Sequence, residues 1–318
     1  MKISLITPAR KHSRNGNRTS AIRWAGFLQD QGHRVEVETD YDGTPCDLMI
    51  VLHAWRGADA INRYTSLYPD APLIVALGGT DVNGFLKTNP DVTLASMEKA
   101  DALVGLHDRI GEALPDHLTR KLHVIYQSAS SLKSPRKPAK RYFDICLIGH
   151  LREEKDPLRA ALATRLLPAH SRLRLIHLGK AHDEAWATMA KKEQSDNPRY
   201  HWLGDVPAWR VRREYSKTRL MVLTSNQEGG ANVISEAIVA GVPIIASDIP
   251  GNTGLLGRDY PGLFPLGDER ALADRLMQAE EDPGYLMRLD KACLALRPKF
   301  LPERESRLWN GLVTDICG

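Results

Sequence analysis

The sequence predicts an α/β protein made of two doubly wound halves, each a parallel sheet covered by helices. Three observations carry this. Short runs rich in Val, Ile and Leu alternate with stretches of helical period, the pattern of parallel strands joined by crossover helices. The alternation occurs twice, on either side of "SSLKSPRKPAKRYFD", a Pro- and Lys-rich stretch without hydrophobic periodicity. The length of 318 residues suits two domains of roughly 150 residues each.

Taken in order, strands are expected near 3–7, 34–39, 47–52, 73–77, 102–106 and 123–126, then near 143–148, 173–178, 200–203, 219–224, 243–247 and 262–265. The Pro/Lys-rich stretch reads as a linker near 131–141, dividing a first domain (1–131) from a second (142–301). After Pro302, the spacing of Leu308, Leu312 and Ile316 predicts an amphipathic final helix over about 302–318 that packs back toward the first domain.

Composition narrows the function classes. The chain is 42% hydrophobic and 26% charged, an ordinary globular balance. No apolar run approaches the roughly 20 residues of a membrane span, and "MKISLITP" reads as a first strand rather than a secretory leader, so integral membrane association is not expected. Cys46, Cys146, Cys293 and Cys317 are scattered without metal-ligand spacing, which fits a reducing cytoplasm. A net charge of +4 is small for this length and argues against nucleic acid as a partner. The distribution is uneven: residues 1–29 contain no acid, while Lys2, Arg10, Lys11, Arg14, Arg18 and Arg23 are basic and His12 can titrate. This is either a local anion site or a solvated loop.

Ligands of doubly wound sheets bind beyond the carboxyl ends of the strands, so two such halves are expected to enclose a site in a facing cleft. Beyond the strand "RLMVLT" lies "SNQEGGANVISEA". The pair Gly229-Gly230 allows close backbone approach to a ligand, and the N–H groups opening the next helix, near Asn232, favour an anion. Glu236 shares a partly apolar helix face with Val233, Ala237 and Ala240, where an unpaired carboxylate is costly. A ligand diol or protein donors satisfy it. The plain alternative is that Glu228 and Glu236 are solvated acids near a helix start.

Together with the continuation "AIVAGVPIIASDIPGN", these residues resemble the E-x7-E motif of retaining GT-B glycosyltransferases of the GT4 type. The resemblance implies two Rossmann-like domains, with Glu228 bonding hydroxyls of the donor hexose and Glu236 holding the nucleotide ribose. The segment Leu203–Val206, with Gly204 and Val206, would border the nucleobase. "IGHLREEKDP" is similar to the family's G-R-x-x-x-x-K diphosphate clamp: Lys155 takes the lysine position, His150 stands where arginine is usual, and Arg152 is the candidate substitute. Glu228, Lys155 and Arg152 are the expected catalytic residues. The loop "NGNR", supplying Gly16, Asn17 and Arg18, resembles one that also touches the donor diphosphate. "LIVALGGTDVNG" resembles the H-G-x-D segment with Gly78 in place of histidine, leaving Gly79, Thr80 and Asp81. That glycine leaves room near the reaction centre or gives His53 or His107 the vacancy. The resemblance implies no cofactor and no metal, and "DYD" at 40–42, beside Gly43 and Pro45, reads as a turn rather than a metal motif.

"NGNRTSAIRWA", "VLHAWRGADAI", "ALGGTDVN" and "GGANVISEAIVAGVPIIASDIPGNTGLLG" further resemble the selenosugar synthase branch of selenoneine biosynthesis. That branch implies transfer from a UDP-sugar, UDP-N-acetylglucosamine foremost, to selenophosphate with formation of a carbon–selenium bond, alongside pathway partner enzymes. Acceptor-binding residues would be Arg10, Lys11 and Arg14, with His53, Arg56, Gly79, Thr80 and Asp81 beside them. Three other readings stand: a transferase with a hydroxyl or thiol acceptor, a noncatalytic nucleotide-sugar sensor, and a membrane-surface transferase using Ile22, Trp24, Phe27 and Leu28.

Overall fold

A computed structural model describes residues 1–13 and 16–318. The chain divides into two compact units, one of Met1–Gln127 with Pro302–Gly318 and the other of Ser128–Leu301.

The first unit runs β1 (Lys2–Ile6), α1 (Gly16–Asp30), β2 (Arg34–Glu38), β3 (Leu48–Leu52), α2 (Ala58–Leu67), β4 (Leu73–Ala76), α3 (Leu86–Thr88), α4 (Pro90–Lys99), β5 (Ala102–Gly105), α5 (Asp116–Thr119) and β6 (Leu122–Val124). A short π-helical turn, Asp81–Phe85, precedes α3. The strands form a parallel sheet in the order β2-β1-β3-β4-β5-β6, so the direction of winding reverses between β1 and β3. All five residues of β3, "LMIVL", are buried, as expected for a strand covered on both faces.

The second unit runs β7 (Phe143–Ile148), α6 (Arg159–Arg165), β8 (Leu173–Leu178), α7 (Glu184–Asp196), β9 (Tyr200–Trp202), α8 (Ala208–Lys217), β10 (Leu220–Leu223), α9 (Asn232–Ala240), β11 (Ile244–Ser247), α10 (Pro250–Leu256), β12 (Leu263–Phe264), α11 (Glu269–Glu281) and α12 (Pro283–Leu296). Its parallel sheet has the order β12-β11-β10-β7-β8-β9 and reverses between β7 and β10. Every expected strand is present, with ends moved by no more than two residues.

The last helix, α13 (Pro302–Cys317), belongs to the first unit. Trp309 packs against Trp24 of α1 with ring centroids 4.8 Å apart. Glu305, 1% exposed, accepts from Trp24 Nε1 at 2.7 Å and from Arg23 Nε at 2.9 Å. This corrects two expectations. Arg23 of the basic N-terminal segment is committed to a buried ion pair, and Trp24 and Leu28 are fully buried, so α1 does not present the apolar stripe a membrane-surface helix needs. No helix among the described residues is long and apolar enough to cross a membrane.

The expected linker also differs. The boundary falls between Gln127 and Ser128, and the stretch 131–141 belongs to the second unit. Arg136 donates to the carbonyls of Tyr215 (3.3 Å), Thr218 (2.5 Å) and Gly241, and the N–H groups of Lys137 and Ala139 bond the carbonyls of Ser216 and Lys217. The stretch lacks hydrophobic period because its contacts are polar ones to the open carbonyls ending α8.

Candidate active site

In the second unit the site grows from the reversal point of the sheet. Beyond β7 the chain passes Gly149 and His150 into a 3-10 turn, Glu153–Lys155; beyond β10 it passes Thr224 into the loop carrying Glu228. The two loops are stitched together. Thr224 Oγ1 donates to Asp156 O at 2.8 Å, and Asn226 N donates to Glu154 O at 2.9 Å. This brings Lys155 Nζ to 2.5 Å from Glu228 Oε1, and Ser225 Oγ donates to the same oxygen at 2.6 Å. Glu228 is 8% exposed, and a cation and a hydroxyl meet its side chain there, as a buried carboxyl group requires. Behind the loop, Ser247 Oγ donates to Ser225 O, and Asn252 Nδ2 to Ser247 O. A Cβ at Gly251 would lie 2.3 Å from the Glu228 carbonyl oxygen, so glycine is required for this approach.

Gly229 and Gly230 lead into α9, which opens at Asn232 as the sequence indicates. Within α9, Glu236 Oε2 accepts from the buried Tyr215 hydroxyl at 3.1 Å. Burial, then the nearby Glu236 charge, pushes the Tyr215 phenol well above its ordinary range, so it remains a neutral donor. Tyr215 was not legible as a site residue, since one tyrosine in an amphipathic helix reads as core.

His150 Nδ1 accepts the Lys180 N–H at 3.1 Å, and burial, followed by the Arg152 charge, lowers its pKa. Arg152 extends toward Glu154 at 3.8 Å, on the exposed side of the turn. Gly204, whose carbonyl accepts from Gly179 N, precedes half-buried Val206. Beneath Gly149 lies a second residue the sequence did not single out. His177 is fully buried; its Nε2 donates to Gly149 O at 3.0 Å, a carbonyl that can only accept, so its Nδ1 accepts from Tyr200 OH at 2.8 Å. Burial brings its pKa down to about 4, and the ring is neutral.

At the carboxyl edge of the first unit's sheet, Asp81 is completely buried. Its Oδ2 accepts from Ala54 N (3.0 Å) and Gly78 N (2.8 Å), its Oδ1 from Trp55 N (3.1 Å), and His53 Nδ1 lies 3.0 Å from Oδ2. Burial alone would raise the carboxyl pKa, but His53 and the backbone N–H groups hold it below the ordinary value. His53 has a left-handed backbone, φ 83°, uncommon without glycine. A Cβ at Gly78 would lie 1.9 Å from His53 Cε1, so the His53 ring occupies the space that Gly78 leaves. Of the two histidines considered for that vacancy, His53 fills it. His107 is also buried beyond β5, where burial lowers its pKa to about 4.

Gly79 and Thr80 lead into the π-helical turn. Trp55 stacks on Phe85 at 4.1 Å, and the Arg56 guanidinium lies 5.8 Å over the same ring, a cluster the sequence did not signal. Gly16, Asn17 and Arg18 form the first turn of α1 rather than an open loop, and Arg18 is buried. Arg10 and Lys11 are exposed, while Arg14 lies outside the described residues. Among the described residues no group of three or more His, Cys, Asp or Glu is arranged to hold a metal ion. A hollow lined by Asp144, Arg174, Arg210 and Glu214 is a less suitable site, because Arg174 already pairs with Asp144 at 2.8 Å and Arg210 with Glu214 at 2.6 Å.

Comparison with known proteins agrees with this architecture. The chain is 23% identical over 296 residues to the glycosyltransferase 1 domain-containing protein 1 of Xenopus tropicalis, covering 83% of each chain. Its fold is similar to that of HepE from Anabaena, solved with UDP and glucose (TM-score 0.79, 16% identity, 99% of this chain and 100% of that one). It is also similar to sucrose-phosphate synthase from Thermosynechococcus elongatus (TM-score 0.80, 17% identity, 99% and 98%). These likenesses establish the GT-B fold of two Rossmann-like domains. The profile of the glycosyl transferases group 1 matches residues 130–293, and the chain belongs to that family.

Proposed function

We propose that the protein transfers a sugar from a UDP-sugar, UDP-N-acetylglucosamine foremost, to selenophosphate, giving a selenosugar for selenoneine biosynthesis. The observation that carries the donor half is the 2.5 Å Lys155–Glu228 contact at the sheet's reversal point, one helix turn and loop away from a Glu236 held by Tyr215. Lys155, and Arg152 reaching in from the exposed side of the turn, meet the diphosphate as negative charge develops on it. Glu228 accepts hydrogen bonds from sugar hydroxyls, and Glu236 from the ribose diol. Relatives of the same fold were solved with UDP and glucose, and with UDP and N-acetylglucosamine in the pneumococcal O-GlcNAc transferase GtfA.

The acceptor half rests on the acid-free segment 1–29, with Arg10, Lys11 and Arg14 as anion contacts, and on the resemblance to the selenosugar synthase branch. Selenium attacks the anomeric carbon as the bond to UDP breaks; hydrolysis of the selenium–phosphorus bond then frees phosphate. An anionic nucleophile needs positioning and exclusion of water more than a base. In this reading leaving-group stabilisation falls to side chains, so turnover continues in the presence of a chelator.

The test is incubation with UDP-N-acetylglucosamine and, separately, selenophosphate, thiophosphate, phosphate, thiols and sugars, with products identified by mass. A selenium-containing sugar with stoichiometric UDP is the expected result. Conjugates with only hydroxyl or thiol acceptors would establish the second reading, which the His53–Asp81 pair favours, since an imidazole oriented by a carboxylate suits a protonated nucleophile. Donor binding without consumption of any pair would identify a sensor.

A further inference from the structure

We infer that the Lys155–Glu228 ion pair makes the donor site select an intact nucleotide-sugar over the bare nucleotide. The inference rests on the reading above, in which Lys155 serves the diphosphate and Glu228 the sugar. The two groups that should face different parts of the donor instead neutralise one another at 2.5 Å, with side chains 18% and 7% exposed.

The pair is held from both sides. Thr224 and Asn226 fix the backbone at Asp156 and Glu154, next to Lys155, and the close approach of Gly251 fixes the backbone of Glu228. A ligand that carries a diphosphate but no sugar draws Lys155 away and takes from Glu228 its 2.5 Å contact with that cation in a largely buried place. Stripping one member of a buried pair is strongly unfavourable. A ligand that carries both parts supplies phosphate oxygens to Lys155 and hydroxyl donors to Glu228, so both losses are made good together. The two subsites are therefore positively coupled through a single contact. After sugar transfer the nucleotide product faces a carboxylate competing for its lysine, and the pair re-forms as the nucleotide leaves.

Simple repulsion between Glu228 and a diphosphate would also disfavour the nucleotide, but without help from Lys155. A double-mutant cycle separates the two. Binding of UDP and of UDP-N-acetylglucosamine is measured by calorimetry on the wild type, Glu228→Gln, Lys155→Met and the double variant, with thermal unfolding as a check of folding. Glu228→Gln is expected to tighten UDP about tenfold, within the range of ordinary coupling, while weakening the UDP-sugar. In the Lys155→Met background the same change is expected to move UDP affinity less than about twofold. Ser225→Ala, which removes the hydroxyl donated to Glu228 at 2.6 Å, leans the carboxylate harder on Lys155 and is expected to weaken UDP about threefold. It serves as the test if Glu228→Gln does not fold. Unchanged or weaker UDP binding in Glu228→Gln, or an equal gain with Lys155 absent, would overturn the inference while leaving the donor site standing. A wild-type protein that binds neither UDP nor the UDP-sugar would overturn the donor site itself, and the inference with it.

Discussion

The two sheets end in different chemistries at their carboxyl edges, although each holds one deeply buried carboxylate. Asp81 in the first unit accepts three backbone N–H groups and lies against an imidazole. Glu228 in the second meets a lysine and a serine hydroxyl, both on side chains. Backbone donors are fixed by the fold, so Asp81 braces the His53 loop and holds the embedded imidazole in place, whatever else the pair does. Side-chain donors can be exchanged for a ligand's, which is what the proposed donor-binding role asks of Glu228. A carboxylate held by backbone N–H groups braces the fold, whereas one met by side-chain donors can trade them for a ligand's.

That contrast predicts opposite phenotypes. Asp81→Ala strands three N–H groups at once, those of Ala54 and Gly78 buried, and is expected to cost about 3–5 kcal/mol of stability, read as a lower urea midpoint. Lys155→Ala should instead lower kcat/KM for the UDP-sugar by about 10²- to 10³-fold, with a smaller shift in that midpoint. If the two variants exchanged these outcomes, the division between brace and site would be wrong. A finer probe is Gly78→Ala, whose Cβ would enter the His53 ring. It should destabilise by about 1–3 kcal/mol, and adding His53→Gly should restore most of the loss, because the three atoms nearest the added Cβ all belong to that ring.

Smaller effects sharpen the picture at each edge. Arg10→Gln or Lys11→Gln is expected to raise the KM for selenophosphate about tenfold with little change for the donor; equal acceptor kinetics would mark the N-terminal cations as solvated. In the second unit, His177 is neutral when folded, with its pKa down at about 4 from an ordinary 6.5. Between those values the unfolded chain takes up a proton that the folded state refuses, so stability falls progressively as pH drops from about 6.5 toward 4. His177→Gln should flatten that part of the denaturation profile, and a profile identical to wild type would remove His177 from the account.

Much of this organisation is legible in the sequence. Runs such as "LMIVL" and "RLMVLT" have one reading because only a doubly covered parallel sheet needs strands apolar on both faces. "EGGANVISE" points to a loop-to-helix ligand site through its glycine pair beside a strand end and its resemblance to the E-x7-E motif, whereas the spacing of the two acids alone also fits solvated residues at a helix start. The stretch 131–141 reads as a linker yet packs within the second unit for the converse reason: its bonds run to carbonyls at the end of α8 that are distant in sequence, and polar contacts leave no periodicity to read. The basic N-terminal segment was legible only as a composition, and it divides in the fold between Arg23 in a buried ion pair and Arg10 and Lys11 in solvent.

By itself the sequence determined the two parallel sheets and the order of their elements, because each is a matter of local period and spacing, and its resemblance to a known family singled out Glu228, Glu236 and Lys155 as candidates. Tertiary structure alone decided the partners: that Lys155 meets Glu228, that Tyr215 holds Glu236, that His177 supports Gly149, and that His53 rather than His107 fills the space at Gly78. Those pairings join residues some 20 to 70 positions apart, and proximity of that kind comes from how strands and loops pack, which no local pattern encodes.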